Sequence, residues 1–154
     1  MTSPNSAQQE QFEAVEQLLT RWLKERRDLL GRYTEFAVAL QGRLDEQELQ
    51  ERQQGLCELL VDYVSAGHFE VYHQLINEAE SFDDGSGAIA EQLLPSLGDT
   101  TEVILAYEEK YGDEVAATDK LRRDLSALGE MLESRFVLED RLIAGLHGRH
   151  RRPA

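Results

Sequence analysis

The sequence predicts an all-α protein with an up-and-down architecture like a four-helix bundle, built from long helices and short loops. Apolar residues recur at alternating steps of three and four over most of the chain, which is the period of an amphipathic helix. No segment alternates apolar and polar residues over the length of a strand. With 154 residues, 41% of them hydrophobic, the chain can bury one core. We therefore expect a single domain over residues 1–154, ordered over residues 6–147.

The first helix is predicted over residues 6–40. Ser6 is a candidate N-cap with Gln9 three residues later, and Gly42 follows the last apolar position as a stop signal. Its stripe consists of Phe12, Val15, Leu19, Trp22, Arg26, Leu29, Tyr33, Phe36 and Leu40. Because Trp22 lies on this stripe, we expect it in the core, with partial exposure at the edge of a groove as the alternative.

The second helix is predicted as one uninterrupted element over residues 45–82. Its stripe consists of Leu56, Leu60, Tyr63, Gly67, Val71 and Leu75. A glycine inside a helix costs about 1 kcal/mol relative to alanine. We therefore expect Gly67 to mark a close crossing with another helix. Residues 83–87 have the composition of a loop.

The third region carries a helical period that Pro95 interrupts. Proline lacks a backbone donor and clashes with the preceding turn. The sequence thus predicts a short turn over residues 88–94 and then a helix that begins at Pro95 or at Asp99 and ends by Tyr111. Asp99 with Glu102 three residues later has the pattern of a capping box.

The fourth helix is predicted over residues 118–146. Its stripe consists of Leu121, Leu125, Leu128, Leu132, Phe136, Ile143 and Leu146. Arg135 and Glu139 stand one helical turn apart, as a surface ion pair or, because they lie close to the stripe, as a buried polar link. The basic tail after His147 is expected to fray.

The charge is distributed unevenly along the chain. The net charge is -14, and residues 44–119 hold 19 acidic side chains against two basic ones, Arg52 and Lys110. An acidic surface of this kind repels nucleic acid and attracts basic surfaces. It acts either as a solubilising surface or as the binding surface for a basic protein partner.

The distribution of apolar residues and cysteine along the sequence excludes several classes of protein. No apolar run approaches the length of a membrane span, and residues 1–10 lack the apolar core of a secretory signal. The single cysteine, Cys57, excludes an internal disulfide framework and a cysteine-rich zinc site, and its place on the buried arc predicts a packed hydrophobe. A cytoplasmic protein fits these observations.

Signals for enzymes and metals are weak. The chain has no glycine-rich phosphate loop, no serine elbow and no paired-cysteine site. His68 and His73 lie about 140° apart around a helix and cannot share a metal as an i,i+4 pair would. A di-iron bundle needs Glu-x-x-His on two helices, and only Glu70 with His73 provides it. We expect no catalysis, no metal and no cofactor.

One face of the second helix combines an aromatic residue with polar ones. Counted at 100° per residue from Asp62, positions within about 60° of it include Glu58, Ser65, Ala66, Phe69 and His73, and Ile76 extends the patch by two turns. Phe69 therefore lies beside Asp62, away from the stripe that contains Leu60 and Val71. Either the helix is buried on two sides and Phe69 belongs to the core, or Phe69 is the centre of an acid-rimmed binding site.

Three segments resemble the Rsd/AlgQ family, the bacterial regulators of sigma D. They are LVDYVSAGHF at residues 60–69, Arg21-Trp22-Leu23 followed by Arg26, and ESRFVLEDRLI at residues 133–143. The overall length agrees as well, so the resemblance covers nearly the whole chain. The basic stretch after Trp22 looks more like the pseudomonad AlgQ branch. The similarity is lower over residues 41–51 and 81–94.

The resemblance implies a helical anti-sigma factor. Such a protein binds the housekeeping sigma factor, chiefly its basic C-terminal region 4, and modulates transcription as cells enter stationary phase. Carried over from the family, the expected contact residues are Asp62, Ser65 and Phe69, with Leu18 and Trp22 on the first helix. Other roles stay open, namely a helical stress adaptor for another protein, such as a phosphocarrier protein or an alarmone enzyme, and a metal-binding bundle.

Overall fold

A computed structural model describes residues 6–42, 45–112 and 119–150, without the side chains of residues 68 and 69. Helices hold 93% of these residues, and no strand occurs among them. The prediction of an all-α bundle is confirmed.

The described residues form five α-helices, two short helices of other types and short connections. The elements in chain order are α1 (Ser6–Ala39), α2 (Glu46–Ala66), a π-helix that we call the π segment (Gly67–Val71), α3 (Tyr72–Phe82), α4 (Gly87–Tyr111), α5 (Asp119–Leu146) and a 3₁₀ turn (Gly148–His150). Helix α1 packs mainly on α2, α4 packs mainly on α5, and α2 contacts α4. Because α2, the π segment and α3 follow one another without a loop, the described residues form a bundle of four long helical segments.

The core follows the predicted stripes. On α1, Val15, Leu19, Trp22, Leu29 and Phe36 are buried. On α5, Leu121, Leu125, Leu128 and Leu132 are buried as well. Trp22 is only 2% exposed, so its assignment to the core is confirmed. Cys57 is a buried free thiol, as expected for a packed hydrophobe.

The prediction of the second helix is wrong in one respect, because the π segment interrupts the α-helix. There the backbone N–H of Tyr72 donates to the carbonyl of Gly67, five residues earlier. A π-turn adds one residue to the helix; such turns are rare and occur frequently at functional sites. A Cβ atom at Gly67 would lie 3.3 Å from Cζ2 of Trp22 and 3.4 Å from the hydroxyl of Tyr72. The close crossing that we expected at Gly67 is therefore confirmed.

The predicted break at Pro95 is also wrong. Helix α4 runs through Pro95, and Asp99 lies inside the helix rather than at a cap. The burial of Ala90 on one side of the proline and Leu97 on the other holds both halves against the same core. Because Pro95 is exposed, water can solvate the carbonyl group that it leaves without a donor.

The C-terminal end of α5 is held in place where the sequence predicted fraying. His147 and His150 are both buried, and the latter lies in the 3₁₀ turn. Nδ1 of His147 lies 2.7 Å from Oε1 of Glu78, and Nε2 lies 2.5 Å from Oε2 of Glu16. Nδ1 of His150 lies 3.2 Å from Oε2 of Glu78. This histidine clamp ties the end of α5 to α1 and α3, so fraying does not begin at His147; residues 151–154 lie outside the described residues.

Candidate partner-binding site

Helices α1 and α2, which carry four of the expected contact residues, meet at a buried carboxylate, Glu139, which is fully shielded from solvent. Its Oε1 accepts hydrogen bonds from the hydroxyl of Tyr63 at 2.6 Å and from Nη2 of Arg26 at 3.2 Å. Its Oε2 accepts from the hydroxyl of Tyr72 at 2.7 Å and from Nε of Arg135 at 3.2 Å. Burial raises the pKa of Glu139, while the charge of Arg135 and the tyrosine hydroxyls oppose that rise. Because both guanidinium groups can only donate, we assign the carboxylate as ionised.

The Glu139 network reaches every α-helix of the described chain. Nη1 of Arg135 donates to the hydroxyls of Thr100 at 2.9 Å and Thr101 at 2.8 Å on α4. Nη1 of Arg26 on α1 donates to Asp140 at 2.7 Å. The surface-pair interpretation of Arg135 and Glu139 is wrong, and the alternative of a buried polar link is confirmed. Arg135 lies three residues after Leu132, and Glu139 lies four residues after Arg135. This spacing, close to the stripe of α5, was the signal for burial.

Trp22 joins this network to the π segment. Its indole ring stacks on Tyr63 with 4.9 Å between centroids and an interplanar angle of 4°. It meets Tyr72 edge-on at 5.9 Å. The guanidinium of Arg26 lies 5.7 Å from the centre of the Trp22 ring. Trp22 therefore lies beneath the candidate face and supports it from the core.

The π segment determines which side chains share a face. Tyr63 and Tyr72 are nine residues apart, which in an uninterrupted α-helix would place them about 180° from each other. The additional residue of a π-turn reduces that separation to about 80°. Both hydroxyls can then reach Glu139. The same additional residue also changes, for residues after Gly67, the angles around the helix that were counted from Asp62 at 100° per residue.

Apart from the buried Trp22, the expected contact residues divide into three groups. Asp62 is exposed on α2 and available to a partner. Ser65 and Leu18 are half-buried, and Leu18 packs against the core. Phe69 has its backbone in the π segment, but its side chain lies outside the described residues. The angle count that put Phe69 beside Asp62 assumed an uninterrupted α-helix, and the π segment removes that basis. A contact role for Phe69 stays a prediction that rests on the family resemblance.

Glu25 lies within electrostatic range of both Asp62 and Glu70, a relationship that sequence reasoning did not predict. Burial raises the pKa of Glu25, and the negative charges of Asp62 and Glu70 raise it further, against the lowering effect of Arg21. These groups come from three segments: α1, α2 and the π segment. We call Glu25, Asp62 and Glu70 the acidic face. The sequence signal that could have identified Glu25 was its position three residues after Trp22. Glu70 was considered in the sequence only as a possible metal ligand.

Asp62 also lines an open groove of about 460 Å³ between α2 and α4. The groove is lined by Gln54, Cys57, Glu58, Val61, Asp62, Glu108 and Gly112. Burial raises the pKa of the Cys57 thiol to about 12, and the charges of Glu108 and Glu58 contribute to this rise. The thiol is therefore protonated at neutral pH and is a poor nucleophile.

The described residues contain no group of three or more His, Cys, Asp or Glu side chains arranged to hold a metal ion. The histidine clamp explains this in part, because each of its imidazole nitrogens pairs with a carboxylate oxygen instead of converging on one point. Within the same ranges, no helix is long and apolar enough to cross a membrane.

Comparison with known proteins gives one consistent result. Residues 1–147 match the family described as regulator of RNA polymerase sigma(70) subunit, Rsd/AlgQ. The chain is 35% identical over 138 residues to the regulator of sigma D of Shigella dysenteriae serotype 1, covering 87% of this chain and 86% of that protein. It is 33% identical over 132 residues to the regulator of sigma D of Yersinia pseudotuberculosis, covering 82% and 78%. Among solved structures, none matches this chain significantly.

Proposed function

Since the chain belongs to the Rsd/AlgQ family of regulators of the RNA polymerase sigma(70) subunit, we propose that it is an anti-sigma factor that sequesters the housekeeping sigma factor by binding its region 4. It regulates the sigma(70) subunit of RNA polymerase, as the match over residues 1–147 and the relatives named regulator of sigma D indicate. The binding region, the contact residues and a non-catalytic mode of action in the bacterial cytoplasm are parts of the proposal.

The acidic face is the observation that supports region 4 as the target. Region 4 binds promoter DNA, and a protein surface that binds phosphates is basic. The three carboxylates of the acidic face lie close enough together for two of them to raise the pKa of the third. A basic partner relieves this mutual repulsion, and opposite charges also accelerate association.

Each expected contact residue has a distinct role in this proposal. Asp62 pairs with an arginine or lysine of region 4, while the Ser65 hydroxyl provides a short polar contact at the same face. Leu18 and Phe69 provide the apolar contacts that commonly dominate the binding energy of an interface. Trp22 holds the face from below, since it is buried against Tyr63.

Sequestration follows from the overlap of surfaces. A protein that covers the DNA-binding surface of region 4 prevents that region from contacting the promoter. Because the contact is between opposite charges at an exposed face, its affinity should fall as salt screens the charges.

The test is a titration of this protein with purified region 4 and with a sigma fragment that lacks region 4, at low and moderate salt. We expect binding to region 4 alone, with weaker affinity at higher salt. Equal affinity for both fragments, or binding to neither, would show that the proposal is wrong.

A further inference from the structure

We propose that Glu139, acting through Tyr72, is a positioning residue for partner binding, because it holds the π segment in its register. This inference rests on the proposed function for its partner and on the Glu139 network for its geometry. Glu139 itself is buried and cannot touch a partner.

Tyr63 and Tyr72 depend on the same buried carboxylate. Their hydroxyls approach the two oxygens of one carboxylate, at 2.6 Å for Tyr63 and 2.7 Å for Tyr72. An α-helical register between them would rotate Tyr72 by about 100° and take its hydroxyl away from Glu139. The hydrogen bond of Tyr72 is therefore possible only when the π segment is present.

The π segment is intrinsically unfavourable and needs stabilising contacts. Helices with i→i+5 hydrogen bonds are rare and occur mostly as single turns. The bond from Tyr72 to Glu139 provides a local interaction that an α-helical register would lose. Nη2 of Arg135 also donates to the hydroxyl of Tyr72 at 2.9 Å, which fixes the position of that hydroxyl. Removing this hydroxyl should thus lower the preference for the π register.

The register of the π segment sets the arrangement of the acidic face. The π segment contains Phe69 and Glu70, and Asp62 and Ser65 lie on α2 within five residues before it. A change of register at Gly67 rotates the residues that follow relative to Asp62. The acidic face then loses its arrangement although every residue of the face is unchanged.

The variant that tests this inference is Tyr72→Phe, and Tyr107→Phe is its matched control. Tyr107 is also buried, and its hydroxyl exchanges hydrogen bonds with Gln53 at 2.7 and 3.1 Å, on α4 and α2. Both substitutions remove one buried hydroxyl. Tyr72 directly follows the π segment and its backbone N–H bonds to Gly67, whereas Tyr107 lies in α4.

Two readouts separate the geometry from the function. The first needs no partner: hydrogen exchange of the amides of residues 67–72, together with the emission of Trp22, the single tryptophan of the chain. The second is the affinity for sigma region 4 at a temperature where all variants are folded. We expect Tyr72→Phe to exchange several-fold faster in this segment, to shift the emission of Trp22 and to bind about tenfold more weakly. Tyr107→Phe should change neither readout.

The inference is overturned if Tyr72→Phe matches Tyr107→Phe in exchange, or if exchange increases while affinity stays at the wild-type value. In that second case, weaker binding of region 4 by an Asp62→Asn variant would show that the proposed function stands and that only the positioning role fails. If the wild-type protein does not bind region 4 at all, the proposed function fails and the positioning role fails with it.

Discussion

The imidazole of His147 lies 2.7 Å from the buried carboxylate of Glu78, and this contact joins the end of α5 to α3. Burial lowers the pKa of His147, but hydrogen bonds to Glu78 and Glu16 outweigh it and raise the pKa above its ordinary value. The other charged groups around the clamp are His150, Asp84 and Arg149. A protonated His147 therefore stabilises the folded chain.

The first prediction concerns the pH dependence of that contribution. A group whose pKa is raised on folding contributes fully below its unfolded value of 6.5, and the contribution is lost as the pH rises through the folded value. Thermal melting of wild type and His147→Gln should therefore differ most near about pH 6 and converge at alkaline pH. A difference that grows with rising pH, or that does not depend on pH, would contradict this assignment.

The second prediction concerns the Glu139 network. Arg135→Met removes one partner of a buried ion pair and should lower the free energy of unfolding by about 3 to 5 kcal/mol. Arg123→Met on the exposed side of the same helix should change it by about 0.5 kcal/mol or less. Denaturant titration measures both. Equal losses in the two variants would mean that the buried pair contributes nothing specific.

The third prediction concerns Gly129 of α5, where a Cβ atom would overlap the ring and hydroxyl of Tyr33. The Tyr33 hydroxyl donates to the carbonyl of Leu125 at 2.8 Å, so the ring cannot move without breaking that bond. Gly129→Ala should destabilise the protein by about 1 to 3 kcal/mol despite its better helix propensity. Gly31→Ala, with nothing within 4 Å of the new Cβ, should stabilise it by about 0.5 to 1 kcal/mol. Melting curves that move in the same direction for both would refute the contact.

The fourth prediction concerns Cys57, the single cysteine of the chain. Its pKa rises from 9.0 to about 12 on folding, which lowers the thiolate fraction at pH 8 by about a thousandfold. Alkylation of the native protein should be slow and should accelerate on unfolding in denaturant. Rapid alkylation under native conditions would show that the thiol is exposed.

The sequence predicted most of the fold because burial dominates α1 and α5. Their apolar stripes match the buried residues from Val15 to Phe36 and from Leu121 to Leu132. The break at Pro95 was predicted from a local rule, and the burial of Ala90 and Leu97 on either side overrides it.

The π segment could not be predicted from periodicity. Tyr63, Gly67, Val71 and Leu75 keep regular steps of four, so the stripe stays unbroken while one residue is added to the helix. Its presence depends on a distant residue, Glu139, whose charge is typical of a surface position. Only the three-dimensional arrangement shows that both tyrosines point to the same carboxylate.

The candidate site was predicted in part. Asp62 was expected at an exposed position, and it is exposed. The contributions of Glu25 and Glu70 to the same face were missed, because they come from different segments and their proximity is a tertiary effect. The position of the Phe69 side chain stays a prediction.

Phe69→Ala should weaken binding to region 4 by about 2 kcal/mol or more while leaving the melting temperature near the wild-type value. A large fall in that temperature would assign Phe69 to the core.

The central claim is that this sigma regulator binds region 4 through the acidic face. The affinity of Asp62→Asn for purified region 4 tests it most directly, with Asp99→Asn as a control that removes the same charge from the exposed surface of α4. We expect Asp62→Asn to bind at least about tenfold more weakly, and Asp99→Asn to stay within about twofold of wild type. Both variants should melt like the wild type, since surface substitutions usually change stability by about 0.5 kcal/mol or less. If Asp62→Asn binds region 4 as tightly as Asp99→Asn, the acidic face is not the binding surface.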